Sequence, residues 1–158
     1  GNMLKEKNNS LKVKIIKNTL SGYIPTNYKF IKWANAAFKT DRDSIVIIKL
    51  AGMSEIKKLN KLFFKKDKAC NVLSFPYNSY ISSGEFILGD IVICSNIVNK
   101  ESKIYKIHKE NRWAHMVIHS MLHLQGYSHD NNKCQKTMES KEKELMNCLG
   151  FTDPYYAS

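Results

Sequence analysis

Three of the five histidines of this chain fall within eleven residues, His119-Ser-Met-Leu-His123-Leu-Gln-Gly126-Tyr-Ser-His129. On a helix, residues four apart lie about 5–6 Å from one another on one face, so His119 and His123 can present two imidazoles to one ion. The same pair on its own equally fits a buried helix whose histidines are satisfied by polar neighbours. Gly126 and His129 tip the balance, because glycine accepts the left-handed backbone that ends a helix sharply and lets the chain turn a third imidazole toward the first two. Three protein nitrogens with one vertex left open is the pattern of catalytic rather than structural zinc. One Zn2+ per chain, or another divalent ion in its place, is therefore the expected cofactor, with His119, His123 and His129 as ligands and as the catalytic set through the water they help activate.

The spacing is that of the metzincin protease signature H-E-x-x-H-x-x-G-x-x-H, but Ser120 stands at the glutamate position. That glutamate is the general base of peptide hydrolysis, and a serine cannot take the proton near neutral pH. A metalloprotease therefore loses support. Acidification of water and Lewis-acid action on a phosphoryl oxygen remain available to such a metal, and the formal net charge of +11 favours a polyanionic partner. The positive field is built almost wholly from lysines, since Arg42 and Arg112 are the only arginines. A lysine-rich chain with solvated surfaces would show the same charge, so composition leaves the two readings open.

The remaining chemistry-bearing residues are weaker candidates. His115 lies one turn before His119 and is expected to orient a ligand or pack rather than ligate. His108 reads as a surface residue of a lysine-rich helix. Asp130 and Glu139 follow the third ligand and could take a proton, although an acid at a helix start explains Asp130 as well, and no general base can be named. Asp90 is expected to be a buried carboxylate with a structural role. Asn71 and Ser74 could line a cleft or simply occupy turn and edge positions.

The elements that must position these residues follow from periodicity. Leu11 to Thr19 alternates as a half-buried strand, Tyr28 to Lys39 has an apolar stripe of helical spacing, and Ser44 to Leu50 is a short branched run that reads as a strand. The segment from Met53 to Lys66 predicts a helix with Ser54 as N-cap and Ile56, Leu59, Leu62 and Phe63 on its apolar face. Asn71 to Tyr77 and Phe86 to Cys94 read as strands joined through Gly84. From Ser95 onward the pattern is helical: Asn96 to Lys109, then Arg112 to Gln125 capped by Asn111, then Asn132 to a stop at Gly150. Strands early and helices late, with no phosphate-binding glycine loop, predict a single α+β domain over residues 1–158, a small mixed sheet packed with helices.

At 158 residues the chain can bury one core without staples. Gly1 and Asn2 precede Met3 and read as a cloning remnant. The four cysteines show no C-x-x-C pairing, which speaks against a zinc ribbon or a secreted disulfide framework and for a reducing, intracellular setting. No stretch approaches the roughly 18 apolar residues of a membrane span, so a soluble protein is expected.

The stretch His115 to His129, HMVIHSMLHLQGYSH, resembles the H-G-x-L-H-L-x-G-Y-D-H signature of the YbeY endoribonucleases, bacterial and organellar rRNA maturation factors. Asn71 to Pro76 (NVLSFP) and Leu88 to Ile93 (LGDIVI) match the family's other two blocks in order, and together the blocks cover most of the chain from about Leu59. The resemblance implies a single-domain metal-dependent hydrolase, zinc on His119, His123 and His129, and cleavage of single-stranded RNA. It further implies roles in maturing the 3′ end of small-subunit rRNA and in ribosome quality control, with rRNA and the ribosome as partners, in the cytoplasm of a bacterium or in an organelle of a eukaryote. Three positions depart from the family: Ser120 replaces a glycine, Ser128 an aspartate, and Phe64 a functionally important arginine. Phenylalanine cannot form the bidentate fork to phosphate, and Lys65 and Lys66 beside it offer only point charges. Phe64, Lys65 and Lys66 are the RNA-binding candidates, Phe64 by stacking on a base, although a core-facing ring is the commoner role. A ribosome-associated RNA-binding factor with a structural metal is the alternative.

Overall fold

The computed structural model describes residues 9–155; Gly1 and Asn2 lie outside them. Four strands form one sheet in the order β1-β2-β4-β3, where β1 is Leu11–Lys17, β2 Ser44–Ala51, β3 Val72–Tyr80 and β4 Phe86–Cys94. The pairs β1·β2 and β2·β4 are parallel and β3·β4 is antiparallel, so the sheet is mixed, as expected. β1 alternates between inward and outward residues, whereas β2 and β4 are buried over almost their whole length because helices cover both faces. β3 is an edge strand, and its register on β4 shifts between Pro76 and Ser79.

Five helices complete the chain: α1 Asn27–Ala37, α2 Met53–Phe64, α3 Ser95–Ile104, α4 Lys109–Leu124 and α5 Asn132–Cys148. α4 is the hub. It packs against α1, α3 and α5 and lies across β3 and β4, and Trp113, Ala114, Val117, Ile118, Met121, Leu122 and Leu124 are all essentially removed from solvent. α2 covers the opposite face, where Ile56 meets Ala51, Leu73, Val92 and Cys94 in a second, smaller cluster.

Several boundaries differ from the sequence reading for local reasons. Gly52, not Ser54, precedes α2, and that cap position makes no side-chain hydrogen bond. The expected apolar face of α2 is only partly covered at its end, where Leu62 is largely exposed and Phe63, also largely exposed, rests edge-on against Phe75 of the edge strand β3. The single helix expected over Asn96 to Lys109 breaks after Ile104, with Lys106 in the left-handed region (φ 56°). His108 consequently sits at the break and caps α4, its Nδ1 accepting from the Glu110 N–H at 3.2 Å. Asn111 lies inside α4, buried, and donates to the Thr152 hydroxyl at 2.9 Å. α5 is capped by Asn131, which accepts from the Cys134 N–H. No helix among the described residues is long and apolar enough to cross a membrane.

Candidate metal centre

His119 and His123 lie in the last turns of α4, which ends at Leu124. The Tyr127 N–H donates to the Leu122 carbonyl at 3.0 Å and the Gly126 N–H to that of His123 at 3.1 Å, which closes the last turn and reverses the chain. Gly126 takes φ 101°, and a Cβ added there would meet nothing within 4 Å, so the dihedral alone demands glycine. The reversal delivers His129 with its ring centroid 5.0 Å from that of His119 and 4.5 Å from that of His123. One ligand atom from each of the three histidines lies within 4.8 Å of the others.

The outer nitrogens show what the inner ones can do. Nδ1 of His119 lies 2.5 Å from Oε1 of Glu142, and Nδ1 of His123 lies 3.1 Å from the Tyr127 carbonyl. A carboxylate and a carbonyl only accept, so both Nδ1 atoms carry the proton and both Nε2 atoms present lone pairs. Those two Nε2 atoms face each other at 3.1 Å. Two neutral acceptors at that separation repel unless a cation lies between them, and two ligands about 2.0–2.1 Å from a tetrahedral zinc stand about 3.3 Å apart. The residues fit the ion. Burial, followed by the neighbouring His119 and His129, lowers the pKa of His123 to about 4, so its ring is in the ligating neutral form at pH 7.

Glu142 is the residue that the sequence reading missed. It is fully buried on α5 and receives His119 on one oxygen; on the other it receives His115 Nε2 at 3.1 Å and the Tyr155 hydroxyl. Burial opposes its ionisation, but the hydrogen bonds from His115 and His119 outweigh that and hold its carboxyl well below the usual range. Burial and the Glu142 carboxylate both push the Tyr155 phenol up, which keeps it a donor. His115, whose own pKa burial lowers despite Glu142, thus supports a ligand through Glu142. The chain of contacts continues outward from His115 Nδ1 to Arg112 Nη1 at 3.3 Å, from Arg112 to Glu101 at 2.9 Å, and from Glu101 to Asn71 Nδ2 at 3.2 Å.

Two clefts meet at Val72 and His119. One, of about 300 Å³, is walled by Asn71, Tyr105, Arg112, His115 and Tyr155. The other, of about 280 Å³, is walled by Phe64, Leu73, Ser74, Pro76 and His123. Asn71 and Ser74 therefore line the groove, although Asn71 is committed to Glu101. Phe64 is not core-facing: it is 44% exposed, its ring packed on Phe75 with centroids 5.6 Å apart. Lys65 and Lys66 follow it, both exposed, Lys65 in the left-handed conformation that ends α2. Asp90 corrects the expectation of a buried carboxylate: it is exposed, on the same strand face as Val92 and Cys94, away from α4. Its pKa is raised by desolvation, partly offset by Lys49. Ser120 is fully buried and its hydroxyl has no hydrogen-bond partner among the described residues, so it faces the core rather than the metal centre. Asp130 is exposed, and Glu139 accepts from Gln135 at 3.5 Å; neither joins the converging ligand atoms. Ser128 lines a separate depression with Tyr127 and Lys133.

Known proteins resemble this chain over most of its length. The family model for endoribonuclease YbeY matches residues 6–150. A protein of Buchnera aphidicola subsp. Schizaphis graminum named endoribonuclease YbeY is 38% identical over 156 residues, spanning 97% of this chain and 98% of its own. The protein of the same name from Buchnera aphidicola subsp. Acyrthosiphon pisum is 42% identical over 133 residues, 84% of this chain and 86% of its own. The solution structure of TM1509 from Thermotoga maritima superposes with a TM-score of 0.54 at 22% identity, covering 90% of this chain and 98% of that one, a likeness of fold. With its histidines converging behind a glycine turn and residues 6–150 matched by the family model, the chain belongs to the YbeY endoribonuclease family.

Proposed function

We propose that this protein is a zinc-dependent endoribonuclease that cuts single-stranded RNA, with His119, His123 and His129 as ligands. The observation that carries the reading is the pair of Nε2 lone pairs facing each other at 3.1 Å while both Nδ1 protons are engaged elsewhere. When bound there, the ion would acidify a water molecule and polarise a phosphoryl oxygen. The chain's own residues do the rest. Glu142 and the Tyr127 carbonyl hold the two helical imidazoles in the ligating tautomer, and His115 and Tyr155 hold Glu142. Val72, Ser74 and Pro76 of the edge strand form a wall along which an extended strand can lie against His119 and His123. The net charge of +11 attracts the phosphate backbone. The names of the family's members support RNA cleavage, and the resemblance of the three sequence blocks implies rRNA processing, at the small-subunit 3′ end and in ribosome quality control, as the setting. A metalloprotease is disfavoured by the burial of Ser120.

A second reading is favoured by Glu142: the carboxylate nearest the centre is fully occupied by three donors and is not free to take a proton. On that reading the protein is a ribosome-associated RNA-binding factor whose metal is structural. The test is cleavage of single-stranded RNA by metal-loaded protein beside His123→Ala. The enzyme reading expects fragments with wild type and a loss of at least about 100-fold in the variant. Intact RNA with both, together with RNA binding that survives in a folded ligand variant, establishes the second reading.

A further inference from the structure

We propose that Phe64, seated on Phe75 at the free edge of β3, is a stacking platform for one unpaired nucleobase next to the metal centre. The inference rests on the reading that the chain acts on RNA. Three observations converge. First, Phe63 and Phe64 end α2 58% and 44% exposed, and both lean on Phe75 of β3, with centroids 5.2 and 5.6 Å away, so the two partly exposed rings are held in place by a third on the edge strand. Second, Phe64 shares its cleft of about 280 Å³ with His119 and His123, which places an aromatic face beside the ligands rather than on a remote surface. Third, three exposed lysines, Lys65, Lys66 and Lys68, with Asp67 among them, follow Phe64 within four residues and give the segment a net positive charge to attract the phosphates flanking a stacked base.

That combination selects a nucleic-acid occupant over an apolar peptide, since a peptide gains nothing from the lysines. It also selects an unpaired base, because in a duplex both faces of each base are already covered by its neighbours. Stacking is tolerant of base identity, so the platform sets strandedness rather than sequence.

The test is binding of a fluorescent, nuclease-resistant oligonucleotide (2′-O-methyl ribose, phosphorothioate links) to metal-loaded protein, with cleavage of ordinary RNA scored separately. Phe64→Ala is expected to weaken binding about 5- to 100-fold. Phe64→Leu, which keeps apolar bulk but cannot stack, is expected to behave like the alanine variant, and Phe64→Trp like wild type. An abasic residue walked along the oligonucleotide should weaken wild-type binding at one position, and that penalty should vanish in Phe64→Ala. Wild-type affinity in Phe64→Leu, or an equal abasic penalty in both proteins, overturns the platform and assigns the exposed rings to a protein partner. If RNA is not cleaved but the abasic penalty depends on Phe64, the platform stands and the enzyme reading falls; cleavage with Phe64-independent binding does the reverse.

Discussion

At the scale of single residues the centre depends on one carboxylate from a different helix. Glu142→Gln keeps the size and a carbonyl oxygen but removes the charge that His119 and His115 share. It is expected to lower metal affinity about 10- to 100-fold, measured by competition with a chelating dye; unchanged affinity would show that the tautomer of His119 is set by something else. Ser120 gives the opposite expectation. Its buried hydroxyl has no partner among the described residues, so Ser120→Ala should raise unfolding free energy by about 1 kcal/mol in denaturant titrations while leaving metal affinity unchanged. The convergence of the three histidines was legible, because a helical pair, a glycine and a third histidine form a pattern local in sequence. Glu142 was not, because its partner lies 23 residues away on another helix. Its signal was present, though: the carboxylate occupies the same helical stripe as Met138, Leu145 and Met146, where α5 otherwise buries apolar side chains. An acid on the buried stripe of a lysine-rich helix asks for a buried partner.

At the scale of elements, the turn after α4 and the pairing of β3 with β4 each hinge on a glycine, for different reasons. Gly126 is free of contacts but has φ 101°. Gly126→Ala should therefore cost about 1–2 kcal/mol of stability by forcing a left-handed alanine, and should weaken metal binding more than stability, because the Tyr127 carbonyl and His129 both follow it. At Gly89 a Cβ would lie 2.4 Å from the Phe75 carbonyl oxygen and 2.7 Å from Leu124. Gly89→Ala should cost about 3 kcal/mol or more by prising β3 and α4 away from β4. Denaturant melts of the two variants beside chelator competition separate the cases; equal loss of metal affinity at equal stability would contradict this division. Most elements were readable from period alone, and the failures have local causes. The break at Lys106 was hidden because Asn96 to Lys109 carries no glycine or proline, and the resulting position of His108 as a cap followed from that break rather than from any cue of its own. The exposed end of α2 was misread because an apolar stripe carries no information on how much of each side chain a single edge strand beneath it covers.

At the scale of the whole molecule, charge and topology act together. The mixed sheet leaves β3 at an edge, and α4 packs beside it so that the three-histidine cluster opens onto that edge. An α+β domain was expected from the order of strands and helices, but strand order and the free edge were not, since nothing in one sequence fixes which parallel neighbours pair. The net charge of +11 should make RNA binding steeply salt-dependent. Lys65→Ala/Lys66→Ala should reduce the slope of log affinity against log salt by about 1.4 if both lysines contact phosphates of a single strand. An unchanged slope would remove these lysines from the path of the RNA.

The proposed hydrolysis requires three imidazoles sharing one ion. Metal analysis of protein purified without added ions, set beside His129→Ala prepared identically, tests it most directly. Wild type should carry one divalent ion per chain, and the variant, still folded by circular dichroism, should lose most of it. Equal metal content in the two proteins would contradict the assignment of His129 and with it the open coordination vertex on which the proposed hydrolysis rests.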